Sequence, residues 1–227
     1  MPSHRENVVS AFNMLAEKNL DICHKGIVSM IDRSQEKVVF SKGWDCDSIF
    51  GNTVEIGLHT QLKDPIAAAH LELYKQFPTV GSIIICQPKW CTIWAQLGEP
   101  IPPTGILHAE HFYGVIPCTN RPEEDQVAAY YPEEIARSIK NALGSKTVKQ
   151  MPALLLRYVG AVVLADTALK AVDVLDILET VAMLAWQIRL ANGDSSVEYL
   201  SYAVLNKHHC LVHGEEDCYL RSLERTV

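Results

Sequence analysis

The sequence predicts an α/β fold, with one mixed β-sheet between layers of helices. Segments of helical periodicity alternate along the chain with short apolar runs of strand length. The clearest run, Gly81 to Cys86, lacks polar alternation, the pattern of a strand covered on both faces. The 227 residues suit a single domain spanning 1–227, large enough to bury a real core.

Arg5 to Lys18 sets Val8, Val9, Phe12, Met14 and Leu15 on one side, an amphipathic helix closed by Asn19-Leu20. Gly26–Ile31 and Lys37–Phe40 read as strands around the polar turn Asp32 to Glu36. Asp47-Ser48 marks a short helical turn, and Thr53–Leu58 a third strand. Pro65 opens a helix at its favoured first turn, running to about Gln76, and Phe77-Pro78 stops it. The buried strand follows, then a short helix over Lys89–Leu97 and a loop, Gly98–Thr104, with three prolines. Pro132–Leu143 is helical, with Gly144 as its cap. Leu154–Val163 reads as one long buried strand. Ala168–Ala191 is the longest helix, with Ala171, Leu175, Leu178, Ala182 and Ala185 in a stripe; Asn192-Gly193 ends it. A last helix covers Ser196–Leu211, and the tail to Val227 is polar. No internal repeat or low-complexity linker is visible.

The formal net charge is −7 and the basic residues are scattered, so no stripe fits a nucleic acid. Seven cysteines form no CxxC pair, which reads as reduced thiols in a cytoplasmic protein. The N-terminus carries charges at helical spacing rather than a leader's apolar run. Charges interrupt Ala153–Trp186, so no span reaches the roughly 20 apolar residues of a membrane helix.

The most chemically loaded stretch is Asp64–Thr119, and within it His108-Ala109-Glu110-His111-Phe112-Tyr113-Gly114. The words Thr92-Ile93-Trp94-Ala95-Gln96, His108-Ala109-Glu110, Phe112-Tyr113-Gly114 and Ile116-Pro117-Cys118-Thr119 resemble the class II aldolase/adducin family, and within it the L-ribulose-5-phosphate 4-epimerase branch. Gln150-Met151-Pro152, Lys207-His208 and His213-Gly214 extend the likeness over nearly the whole chain. The resemblance implies that family's three-layer fold, a homotetramer with active sites between subunits, and a histidine-held zinc that polarises a carbonyl and stabilises an enediolate.

Position by position, the zinc site has changed. The family's His-x-His pair falls on Ile85 and Gln87, its third histidine on Val159, and its acidic residue near Ile66. Zinc takes N, S or O ligands within about 2.3 Å, so no metal cofactor is expected. Cys86 points to the other face of its strand. The phosphate cradle has changed too. Its asparagine falls on Ile27, its Lys-Pro-Ser-Gly loop on Phe40-Ser41-Lys42-Gly43, and its serines on Asp64-Pro65, so only Gly43 keeps its type. The proton-handling positions match better: Glu110, His208 and Tyr219.

Each residue has a plain reading beside the functional one. Glu110 is either a solvated loop carboxylate or an acid/base tuned by a half-buried interface. His108 is a structural hydrogen-bonding histidine or a proton carrier. Lys42 is a solvated loop lysine or a grip on a carbonyl or carboxylate. Arg157, read as part of a buried strand, needs an acidic partner or an anionic ligand. Cys23, Cys86, Cys91 and Cys210 read as small apolar residues.

The expectation is a metal-independent enzyme that isomerises, cyclises, dehydrates or cleaves a small carbonyl or conjugated substrate. Glu110 and Tyr219 would be the acid/base pair and His208 a positioning or shuttling group. Lys42, Gly43, Gln87, His108 and Arg157 would bind substrate over an apolar floor of Ile66, Ile85 and Val159. The alternatives are a non-catalytic binding module or partner subunit, as in the adducin branch, and a conventional zinc epimerase or aldolase.

Overall fold

The computed structural model describes residues 2–41, 53–122, 132–193 and 197–214. Helix α1 (His4–Glu17) starts at Ser3, whose hydroxyl accepts the Glu6 N–H while the Glu6 carboxylate accepts the Ser3 N–H. That reciprocal cap fixes the first turn, and Val8, Ala11 and Leu15 are buried beneath it.

Six strands follow: β1 (Ile27–Asp32), β2 (Lys37–Ser41), β3 (Thr53–Gly57), β4 (Ser82–Cys86), β5 (Ala153–Leu156) and β6 (Gly160–Ala165). Their order is β3-β2-β1-β4-β6-β5. Every neighbouring pair is antiparallel. Among the described residues, parallel pairing, which the mixed sheet expected from sequence would need, is confined to the isolated Cys118–Leu155 bridge. There Thr119 donates to the Leu155 oxygen and Leu155 to the Pro117 oxygen, laying Pro117–Thr119 along the β5 edge.

The helices are α2 (Pro65–Gln76), α3 (Lys89–Leu97), α4 (Ile106–His111), α5 (Pro132–Leu143), α6 (Ala168–Ala191) and α7 (Tyr202–His213). Helices α1, α3 and α6 pack together against β1, β4 and β6, while α2 packs with α5 and against β1. All residues of β4, β5 and β6 are buried, as a sheet covered on both faces requires.

Two polar contacts place the layers. Pro88 cannot cap α3 with a side chain, so Glu179 of α6 does it, accepting the Trp90 and Cys91 N–H groups at 2.8 and 2.9 Å. Under α2, the Ser29 hydroxyl joins His70 Nδ1 and the Tyr74 hydroxyl, each at 2.8 Å.

Three elements differ from the sequence reading. The long strand over Leu154–Val163 is a hairpin. Val159 donates to the Leu156 oxygen, Tyr158 takes φ +65°, and Gly160 lies so close to β4 that a Cβ would sit 2.3 Å from the Cys86 oxygen. Apolar residues on both sides of an Arg-Tyr tip hid the turn, because no Asn-Gly pair marks it. Arg157 is therefore at a turn and half-buried. Glu110, expected in a loop, lies on α4. The last helix starts at Tyr202, where Ser201 accepts the Val204 N–H, and ends at His213 with left-handed Gly214. Asp47-Ser48, Lys42, Gly43 and Tyr219 lie outside the described residues.

Candidate functional site

Helices α4 and α7 pack on each other, and their shared face gathers most of the predicted proton-handling groups. Glu110 Oε1 lies 3.8 Å from His208 Nδ1, with the two side chains about one-third exposed (34% and 29%). The separation suits an ion pair and is long for a direct hydrogen bond. His213 Nε2 donates to the Glu110 carbonyl at 3.0 Å, and His209 Nδ1 to the Ala109 carbonyl at 3.3 Å. A carbonyl only accepts, so these nitrogens carry the ring protons. The His209 and His213 rings stack at 4.3 Å. Burial pulls His111 below the ordinary histidine range, with Glu110 opposing and His213 reinforcing the shift. Tyr113 completes the face: its hydroxyl donates to Asn206 Oδ1 at 2.8 Å and lies 2.9 Å from the Tyr202 hydroxyl.

His108 is 2% exposed, and its Nε2 donates to the Gly114 oxygen at 2.7 Å. Its Nδ1 is a buried lone pair without a partner, and burial lowers the pKa to about 4. A neutral ring that pins Gly114 (φ +99°) fits the structural reading of this residue. From the other side Lys146 donates to the Val115 oxygen at 3.2 Å.

A second region lies where β4 ends against β6. Gln87 is tied through its main chain by two links, and a third bond fixes the Asp21 carboxylate that holds it. Its N–H donates to Asp21 Oδ1 at 3.2 Å, its oxygen accepts from Ile22 at 3.0 Å, and Asp21 Oδ2 accepts the Gly26 N–H at 2.6 Å. Ile85 is 2% exposed and belongs to the core, whereas Ile66 and Val159 are half-buried and packed against it. Burial raises the Cys86 and Cys91 thiols well above their ordinary range, so both are protonated apolar side chains.

The profile of the Class II Aldolase and Adducin N-terminal domain matches residues 6–186. The chain belongs to the class II aldolase and adducin family. Solved structures agree on the fold. An L-fuculose 1-phosphate aldolase superimposes with a TM-score of 0.72 at 18% identity, covering 92% of this chain and 96% of its own. The L-fuculose 1-phosphate aldolase from Glaciozyma antarctica PI12 gives 0.69 at 14% identity, covering 97% and 86%. An aldolase II superfamily protein from Pseudomonas syringae gives 0.67 at 13% identity, covering 100% and 95%.

Ile66, Ile85, Gln87 and Val159, the residues that the resemblance sets at zinc-ligand positions, offer no imidazole, thiolate or carboxylate and do not fit the ion. Among the described residues no group of three or more His, Cys, Asp or Glu is arranged to hold a metal. The structure thus brings Glu110 and His208 together, and places Gln87 beside the start of β6, next to Val159. Sequence reasoning passed over Tyr113, Asn206 and His213. Tyr113 and His213 sat in the Phe-Tyr-Gly and His-Gly words without being given a role, while Asn206 lay in no motif; all three acquire meaning from the α4–α7 packing.

Proposed function

We propose that this chain is an acid/base isomerase or lyase, derived from the epimerase branch of its family, that works without a bound metal. The observation that carries the reading is the convergence of Glu110 and His208 across α4 and α7, at 3.8 Å, in a chain whose zinc positions are aliphatic or amide. Glu110 takes a proton from carbon, and His208 passes it to or from a substrate oxygen. Tyr219 supplies the complementary acid from a neighbouring subunit of a homotetramer in the cytoplasm, and Lys42 and Gly43 hold the substrate.

An enolate without a Lewis acid loses several kcal/mol of charge stabilisation, so the substrate is intrinsically acidic at carbon: a conjugated or activated carbonyl compound with apolar substituents. The half-buried Ile66 and Val159 suit such substituents. Isomerisation, cyclisation and dehydration begin with that proton transfer, whereas retro-aldol cleavage reaches the same enolate when the base takes a β-hydroxyl proton and the C–C bond breaks.

The test is deuterium incorporation from D2O into phenylpyruvate, dihydroxyacetone phosphate and L-ribulose 5-phosphate, followed by proton NMR before and after dialysis against EDTA. The reading expects exchange into the activated carbonyl compound that survives chelation. Exchange confined to the sugar phosphates, lost on chelation and restored by zinc, would establish the conventional zinc enzyme instead.

A further inference from the structure

Among the described residues Arg157 has no ion pair. Its backbone N–H donates to Thr119 Oγ1 at 2.9 Å, which fixes the residue at the tip of the β5–β6 hairpin. Its guanidinium fills the place of a side chain at Gly98, where a Cβ would lie 1.1 Å from Nη1. The Tyr158 ring stands 4.9 Å from Cζ. Nε is buried and has no hydrogen-bond partner. Among the described residues no carboxylate lies within ion-pair distance of this guanidinium. Glu99, adjacent in sequence to the glycine it covers, is paired with Arg189.

Two compensations are visible, and neither satisfies the buried Nε–H. Gly98 ends α3, so the charge benefits from the negative end of that helix. The Tyr158 ring offers a cation–π contact. A guanidinium has five N–H donors in a fixed fork, and leaving the buried Nε–H unengaged is costly unless an acceptor arrives from outside.

The backbone shows that this arrangement is imposed. Tyr158 has φ +65°, a left-handed conformation that is strained for a bulky aromatic residue. Its N–H is latched to the Ala95 oxygen at 3.2 Å. The strain holds a tyrosine that is 46% exposed beside the arginine. Hydrogen bonding with the Arg157 guanidinium, and then its charge, hold the Tyr158 phenol below its ordinary range, and the charge of Arg121 acts in the same direction. Two cations and a phenol thus crowd one hairpin tip of a chain whose net charge is −7.

We propose that Arg157, with Arg121 and the Tyr158 hydroxyl, forms a binding site for the oxyanion of a small organic acid. This names the chemistry of the ligand. It rests on the proposed function for the claim that the ligand is the substrate, and on the geometry alone for the claim that an oxyanion binds. The shared chemistry is a two-oxygen acceptor edge matched to the guanidinium fork, which a carboxylate or a phosphate presents. Val159, two residues on, places the anion beside the family's former zinc position.

The test is titration of the protein, with its arginines 15N-labelled, with benzoate, phenyl phosphate and benzamide at constant ionic strength. The Arg157 Nε–H signal should shift saturably with at least one anion and stay still with benzamide. The tighter anion identifies the oxyanion. Arg157→Gln should weaken that binding roughly 10-fold or more and Arg121→Gln about 2- to 5-fold, with the latter, at an exposed position, keeping the parent fold. Shifts that rise without saturation for both anions, or full affinity in Arg157→Gln, would overturn the site. Should Arg157→Gln fail to fold, the parent titration and Arg121→Gln decide alone. Saturable binding together with unchanged turnover in Glu110→Gln would keep this site and remove the proposed catalysis.

Discussion

The β4–β6 end and the α4–α7 pair are built on opposite plans. The first is main-chain work: Gln87 is held by Asp21, Ile22 and the close approach of Gly160, over a core residue, Ile85, that water does not reach. The second is side-chain work, where imidazoles of α7 reach carbonyls of α4 and leave a carboxylate and a histidine facing each other at the surface. A sheet end of this kind keeps its geometry when its side chains change, so the fold does not depend on which side chains stand there. A helix pair joined through titratable side chains keeps its geometry only while those side chains remain.

Acid gives the largest effect. Burial lowers His70 to about 3 and His108 to about 4, from an ordinary value of 6.5. Both are protonated in the unfolded chain before they can be protonated in the native one. Stability is therefore full above pH 6.5 and falls with pH down to the two native values, by on the order of 5 kcal/mol at pH 4. Urea unfolding at a series of pH values reads this directly. His108→Gln, which can still donate to Gly114, should remove about half of the slope; an unchanged slope would place the buried proton elsewhere.

Ile85→Asp comes next. A carboxylate at a position 2% exposed should cost about 4 kcal/mol or more, seen as loss of the cooperative thermal transition. A folded variant with parental melting would mean that the strand end is open rather than sealed. Glu179→Ala strips the cap of α3 and should cost about 1–2 kcal/mol in the same assay.

Tyr113→Phe should cost about 1 kcal/mol through the lost bond to Asn206, with faster amide exchange confined to α4 and α7. Faster exchange spread through β4 and β6 would show that the two regions are one unit. Lys18→Ala, at a pair with Asp176 whose side chains are 39% and 41% exposed, should leave the urea midpoint at the parental value.

Much of the architecture was legible. Pro65 at a first helical turn, the Ser82–Cys86 run and the boundaries of Lys89–Leu97 and Ala168–Ala191 follow from local chemistry, and the structure has them there. The hairpin at Arg157-Tyr158 was not legible, because its turn is enforced by contacts with Gly98, Ala95 and Thr119 that are distant in sequence. Glu110 and His208 could be named from their motif words, but their meeting depends on α4 against α7. His213 and Asn206 act through that same packing, which no local pattern encodes.

The claim that proton chemistry resides on the α4–α7 pair is tested most directly by Glu110→Gln, which keeps shape and removes the carboxylate. Deuterium incorporation into phenylpyruvate, or into whichever activated carbonyl compound the parent enolises, should fall by roughly 10²–10⁴-fold, with the melting temperature and the anion affinity at Arg157 unchanged. Exchange at the parental rate in that variant would contradict the account.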